Sequence, residues 1–194
     1  MTRIVAGTAG GRRLRTPDGD RTRPTSDRVR EALFSTVESM LGTWDGLHVL
    51  DLYAGSGGLG LESLSRGAER VVFVESHRRT AALIQTNAHD LGLAGAQVFA
   101  ETAEVFLRRD SRRAEQRFGL VFADPPYAVP VAEIHSVLTS LVEGCWLNDG
   151  AVVVVERGRR TEDLAWPPGV EPVRRRTYGE TALWYGRQCD TPSR

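Results

Sequence analysis

Phe118-Gly119-Leu120-Val121-Phe122-Ala123-Asp124-Pro125-Pro126-Tyr127 is the stretch that decides the fold. Leu120 to Ala123 is a short apolar run, bounded by a glycine on one side and two prolines on the other. Such a run reads as a buried central strand of a parallel sheet, ending where proline removes the ladder donors. In open α/β sheets ligands bind just beyond the carboxyl ends of the strands, so Asp124 to Tyr127 fall where chemistry is expected.

Upstream, His48 to Ala54 reads as the first buried strand, followed by the loop Gly55-Ser56-Gly57-Gly58-Leu59-Gly60. Glycines there let the backbone approach a ligand, and the helix that follows points its N–H groups into the same space. Val71 to Glu75 is a second strand, and its terminal carboxylate is placed to accept both hydroxyls of a ribose. Gly55, Gly57, Gly60 and Glu75 also satisfy the dinucleotide-binding spacing, so glycines alone do not separate a nicotinamide site from another nucleoside site. Asp51 tilts the balance, because dinucleotide sites usually show an apolar residue inside that strand. Residues 77–91 read as a helix and Gln97 to Ala100 as a third strand. Glu101-Thr102-Ala103 opens another helix, where Glu101 could accept from an adenine amino group or Thr102 could serve as an N-cap. Downstream, 130–143 form a helix and Gly150 to Glu156 a fifth strand. Val170 to Tyr178 and Thr181 to Tyr185 form an antiparallel pair, since the turn at Gly179 is too tight for a crossover. Arg157 to Arg160 and Arg174 to Arg176 are basic loop or edge clusters.

Asp124 offers an acceptor-only carboxylate, and Pro125 a carbonyl without a competing N–H. Two fixed acceptors match the two hydrogens of an exocyclic amino group, and Tyr127 adds a flat face on which a base can stack. Pinning both hydrogens turns the nitrogen lone pair out of the ring plane towards an electrophile, which is catalysis by orientation. Read without that role, the same stretch is a strand, a proline turn and a capping aspartate.

The chain has 194 residues, 41% hydrophobic and 26% charged, the composition of one globular domain with or without a short extension. Its net charge is zero and all its basic residues are arginine. Two distant cysteines and four scattered histidines suggest neither a zinc site nor a covalent nucleophile. No apolar stretch reads as a signal or a membrane span, so a cytoplasmic location is expected. Charge is concentrated at the start: up to residue 30, eight arginines face three aspartates. There Arg3 to Gly7 and Arg12 to Arg15 flank glycines as a small hairpin, which suggests a phosphate-gripping arm. Arg23-Pro24-Thr25-Ser26-Asp27 then starts a helix whose apolar face holds Val29, Leu33, Phe34, Val37, Met40 and Leu41.

Arg23-Pro-Thr-Ser-Asp-Arg-Val-Arg-Glu-Ala-Leu-Phe34, Asp51-Leu-Tyr-Ala-Gly-Ser-Gly-Gly-Leu-Gly-Leu-Glu62, Ser65-Arg-Gly-Ala68 and Asp124-Pro-Pro-Tyr127, in that order, resemble the RsmD family. These are the small-subunit ribosomal RNA guanine-N2 methyltransferases, named for guanine 966 of 16S rRNA. The resemblance covers nearly the whole chain. It implies a Rossmann-like class I S-adenosylmethionine-dependent methyltransferase fold, with a seven-stranded sheet in the order 3-2-1-4-5-7-6, strand 7 antiparallel, and a small N-terminal β-hairpin extension. The expected division is a basic arm over residues 1–24, a methyltransferase domain over 25–190 and a tail over 191–194.

Carried over position by position, Asp51, Tyr53, Gly55, Ser56 and Gly57 would hold the methionine part of S-adenosylmethionine, and Glu75 and Ser76 its ribose. Thr102 and Ala103, beside Glu101, would hold the adenine, although an aspartate is commoner than Glu101 in the family. Asp124, Pro125 and Tyr127 would be catalytic, with Asp124 also bordering the cofactor and needing no unusual pKa. Arg3, Arg12, Arg13, Arg15 and Arg23 would grip RNA. The expected product is S-adenosylhomocysteine, the partner 16S rRNA or an assembling small subunit, the oligomeric state monomeric, and no metal or membrane is involved. Other readings stay open: a DNA adenine-N6 or cytosine-N4 methyltransferase, an NAD-dependent oxidoreductase, or a non-catalytic RNA-binding module.

Overall fold

The computed structural model describes residues 3–17, 27–109 and 117–190. Strand β1 (His48–Leu52) is followed by α2 (Gly58–Arg66), β2 (Arg70–Val74), α3 (Arg78–Leu91), β3 (Ala96–Phe99), α4 (Ala103–Leu107) and β4 (Phe118–Ala123). Then come α5 (Val131–Glu143), β5 (Leu147–Gly158), β6 (Val170–Tyr178) and β7 (Thr181–Gln188), while α1 (Asp27–Leu41) precedes β1. The seven strands form one sheet in the order β3-β2-β1-β4-β5-β7-β6. β3 to β5 run parallel, and β7 is antiparallel to both β5 and β6. This is the order and the antiparallel seventh strand that the resemblance implied. Of the residues expected to start α1, Asp27 is its first residue, while Arg23 to Ser26 lie outside the described residues, as does the tail 191–194.

β4 is buried at every residue, as its apolar run requires. Alternation sends its side chains into two cores. Leu120 and Phe122 join Val49, Phe73 and Val154 under α1, α2 and α3, while Val121 and Ala123 join Leu50, Leu52 and Val155 against α4 and α5. Helices therefore cover both faces of a sheet whose parallel part is buried, the arrangement that crossover connections impose.

The N-terminal hairpin departs from the separate arm expected over residues 1–24. Arg3 and Arg13 form an antiparallel bridge, and Ile4, Ala9 and Leu14 are buried in the core under α1. The Val5 and Ala6 amides donate to Glu62 at 2.6 and 2.9 Å, and Glu62 is wholly buried on α2. Gly7 lies so close to α2 that a Cβ would stand 1.9 Å from the Ser65 carbonyl oxygen. The hairpin is therefore part of the domain's core through side chains that alternate inward.

Candidate active site

The parallel strands end in one row. Val74, Leu52, Ala123 and Val155 are register partners on β2, β1, β4 and β5. The residues that follow are Glu75, Tyr53, Asp124 and Glu156, which brings three carboxylates and a phenol to the carboxyl edge of the sheet. Three of these were singled out from sequence. Glu156 was not, because nothing local distinguishes it from an ordinary strand-end acid.

The glycine loop is tied to two of the predicted acids. Asp51, buried in β1, accepts the Gly60 N–H at 2.8 Å, and Glu75 accepts the Gly55 N–H at 2.9 Å and the His77 N–H at 2.7 Å. Each Glu75 oxygen thus retains acceptor capacity for a ribose hydroxyl. Asp51 acts on the loop from beneath. Gly60 is obligatory for contact: a Cβ there would meet the Phe73 ring at 2.2 Å, so α2 can cross β2 only at a glycine. Tyr53 adopts a φ of 60°, an uncommon conformation for a bulky residue and one that clusters at functional sites. Its hydroxyl reaches Glu104 at 3.5 Å, and burial, helped by Glu104, pushes its pKa up.

Ser56 is held from outside the loop. Asn87 on α3 donates to the Ser56 carbonyl at 3.1 Å and to the Arg15 carbonyl at 3.0 Å, and accepts the Arg15 amide at 2.9 Å. One buried amide therefore joins the N-terminal hairpin to the glycine loop, a link no sequence pattern announced.

Gly57 closes a turn onto the Ala54 carbonyl at 2.8 Å before α2 begins. Ser76 is exposed beside Glu75. Of the two sequence readings of Glu101 and Thr102, the structure shows the cap: Thr102 accepts the Val105 N–H at 3.4 Å, with Ala103 buried behind it. Glu101 instead pairs with Arg109 at 2.8 Å, and that guanidinium lies 4.7 Å above the Phe99 ring.

Asp124 is exposed at the carboxyl edge of the sheet, with Glu156 and Asp51 near its carboxylate. Desolvation raises its pKa well above the ordinary value, and Glu156 and then Asp51 add to the effect. Its pKa is therefore unusual, contrary to the sequence expectation. Asp51 is likewise raised to about 7, by burial first and Glu75 last, against the Gly60 bond that lowers it. Acids brought together and raised by burial and mutual repulsion favour a cationic ligand, which offsets the repulsion. Beyond Asp124, Pro125 is buried and the Pro126 carbonyl accepts the Val129 N–H at 2.9 Å. Among the described residues no backbone N–H engages the Pro125 carbonyl, and Tyr127 is 59% exposed. Arg157, buried beside them, donates to the Val129 carbonyl at 3.0 Å and so pins the loop that carries Tyr127.

The predicted RNA-gripping arginines are mostly engaged by the protein itself. Arg3 pairs with Asp27 at 2.6 Å, Arg15 with Asp90 at 2.7 Å, and Arg12 donates to the Leu91 carbonyl at 2.9 Å and to the Asp90 carbonyl. Arg13 is exposed and forms no ion pair with a described residue. Among the described residues no group of three or more histidines, cysteines, aspartates or glutamates could hold a metal ion, and no helix is long and apolar enough to cross a membrane.

The model of a family described as Conserved hypothetical protein 95 matches residues 2–187. The chain is 35% identical to ribosomal RNA small subunit methyltransferase D of Escherichia coli, over 79% of this chain and 73% of that one. It is 36% identical to YlbH of Bacillus subtilis, a candidate rRNA methyltransferase, over 93% and 96% of the two chains. Among solved structures, yhhF from Escherichia coli, a candidate methyltransferase, superposes with a TM-score of 0.84 at 31% identity, over 97% and 98% of the chains. SMU.776, a candidate methyltransferase complexed with SAH, matches at 12% identity with a TM-score of 0.62 over 83% of this chain and 48% of that one, a likeness of fold alone.

Proposed function

Because this chain belongs to the RsmD family of ribosomal RNA methyltransferases, we propose that it methylates the exocyclic N2 of a guanine in small-subunit 16S rRNA, at a position of the 966 type. The observation that carries this reading is the row at the carboxyl edge, where Glu75, Tyr53 and Asp124 stand side by side above the glycine loop. S-adenosylmethionine fits the donor set: Glu75 for the ribose hydroxyls, the Asp51-held loop for the methionine end, Thr102 and Ala103 at the adenine end, and acids whose repulsion its positive charges relieve. When bound, it supplies a methyl group on a sulfonium, whose charge is lost on transfer.

The chain's own residues orient the acceptor. Asp124 and the Pro125 carbonyl accept hydrogen bonds from the two amino hydrogens of a base turned out of its stack, and Tyr127 lies against the ring. The nitrogen lone pair is thereby turned out of the ring plane, and the one proton that N2 sheds once methylated leaves through Asp124 or directly to solvent. Asp124 accepts more strongly when ionised, and a neighbouring positive charge favours that form against the burial and the Glu156 charge that raise its pKa. A target in a loop or at an unstacked position meets this requirement, because N2 must be presented away from its pair.

The test is Asp124→Ala. Methyl transfer to small ribosomal subunits should fall below detection while S-adenosylmethionine binding by calorimetry stays within a few-fold of wild type. Loss of cofactor affinity of the same size as the loss of activity would place Asp124 with the cofactor instead of the base.

A further inference from the structure

We propose, resting on the reading above, that the outer edge of the sheet grips the RNA strand flanking the target base, through β6 and the loop that follows β5. β6 is exposed at every residue from Glu171 to Thr177, whereas natural edge strands are usually short, charged or covered. This edge is charged, and of one sign at its centre. Its two faces do different things.

Arg175 is opposite Trp184, lies 4.5 Å over that ring and pairs with Asp163 at 3.5 Å. It is used within the protein. Arg174 and Arg176 are opposite Tyr185 and Leu183, which belong to the core under α1, so they stand on that face of the sheet. The same alternation places Asp51, Asp124 and Glu156 on this face, each two residues beyond a member of that core. Arg174 and Arg176 are exposed and form no ion pair with a described residue. Arg159 and Arg160, both exposed, follow the carboxyl end of β5, and the Arg159 amide donates to Glu180 of the β6–β7 turn at 2.7 Å. The acids of this hairpin, Glu171 and Glu180, lie at its base and its turn and leave the centre basic.

Register fixes the distance to the chemistry. Arg176 is opposite Leu183, Leu183 is opposite Glu156, and Glu156 shares its row with Asp124. Three inter-strand spacings separate Arg176 from Asp124, roughly 14 Å. A base held on Asp124 therefore puts its neighbouring phosphates over Arg174 and Arg176, whose planar guanidinium groups donate to phosphate bidentately. In the N-terminal hairpin, by contrast, Arg3, Arg12 and Arg15 are bound to Asp27, Asp90 and α3 carbonyls, while Arg13 there forms no ion pair with a described residue.

The experiment compares full-length wild type, Arg174→Gln with Arg176→Gln, and Arg174→Lys with Arg176→Lys. Steady-state methylation uses small ribosomal subunits from cells lacking the gene, and binding uses a fluorescein-labelled single-stranded RNA at several salt concentrations. The glutamine pair should raise KM about tenfold with kcat, cofactor affinity and Tm unchanged. Losing two single-strand phosphate contacts should lower the salt slope by about 1.4, so wild type loses about sevenfold more affinity than the variant between about 50 and 200 mM. The lysine pair should restore most of both. An active wild type with an unaltered KM and slope in the glutamine pair would overturn the proposal. A wild type that transfers no methyl to the subunits would instead remove the reading on which it rests.

Discussion

Replacing Asp51 by asparagine should flatten the pH dependence of stability, and burial sets the size of the change. Asp51 is 1% exposed, and burial, with Glu75 adding to it, raises its pKa from 3.8 to about 7. The folded protein therefore keeps a proton that the unfolded chain has already lost. Stability contributed by this group is full below about pH 4 and is lost as pH rises through about 7. With these two pKa values the loss is about 1.7 kcal/mol at pH 5 and about 4 kcal/mol at pH 8. Asparagine keeps an oxygen for the Gly60 N–H but cannot ionise. Any cost of burying its amide, about 1–3 kcal/mol, is the same at both pH values and cancels in the comparison. Asp124, raised in part by Asp51, relaxes in the same direction. Urea denaturation at the two pH values should show wild type losing about 2–3 kcal/mol more than Asp51→Asn on going from pH 5 to pH 8. Parallel curves, agreeing within about 0.5 kcal/mol, would refute the argument that burial holds this proton.

Glu62→Ala would leave the Val5 and Ala6 amides and the buried side of Arg66 without their acceptor, and should cost about 3–5 kcal/mol in chemical denaturation. Truncating residues 1–20 should therefore lower Tm and, through Asn87 and Ser56, weaken cofactor binding; a truncated protein with unchanged Tm would show the hairpin to be a passive arm. Glu156→Gln removes a charge that raises Asp124, so the acid limb of the pH–rate profile should move to lower pH; an unmoved limb would remove Asp124 from that titration. Glu75→Ala should chiefly raise the cofactor Kd, by roughly tenfold for the loss of charge-assisted bonds to a diol, with smaller effects on RNA binding; the reverse pattern would contradict its assignment.

What was legible in the sequence was what local pattern controls. Leu120 to Ala123 could be read because an apolar run and its proline stop are contiguous, and α3 because its apolar face recurs along the helix at helical spacing. The final hairpin followed from one tight turn at Gly179. Contacts made across the fold were not legible. Nothing local to Glu62 announces that the hairpin's amides converge on it from 56 and 57 residues away. The arginine excess near the N-terminus suggested an RNA grip, but composition cannot show that Asp27, Asp90 and two helix-end carbonyls already take up Arg3, Arg12 and Arg15. The Arg174 to Arg176 cluster was visible as sequence, and only strand register separates the outward pair from Arg175. Likewise no local pattern announces that Glu101 pairs with Arg109, eight residues on and beyond the end of α4.

The most direct measurement is transfer of labelled methyl from S-adenosylmethionine to small ribosomal subunits from cells lacking the gene, followed by digestion to nucleosides. Label is expected in N2-methylguanosine and in no other nucleoside. Label in a different methylated nucleoside would keep the fold and the Asp124 orientation chemistry but contradict guanine N2 as the target.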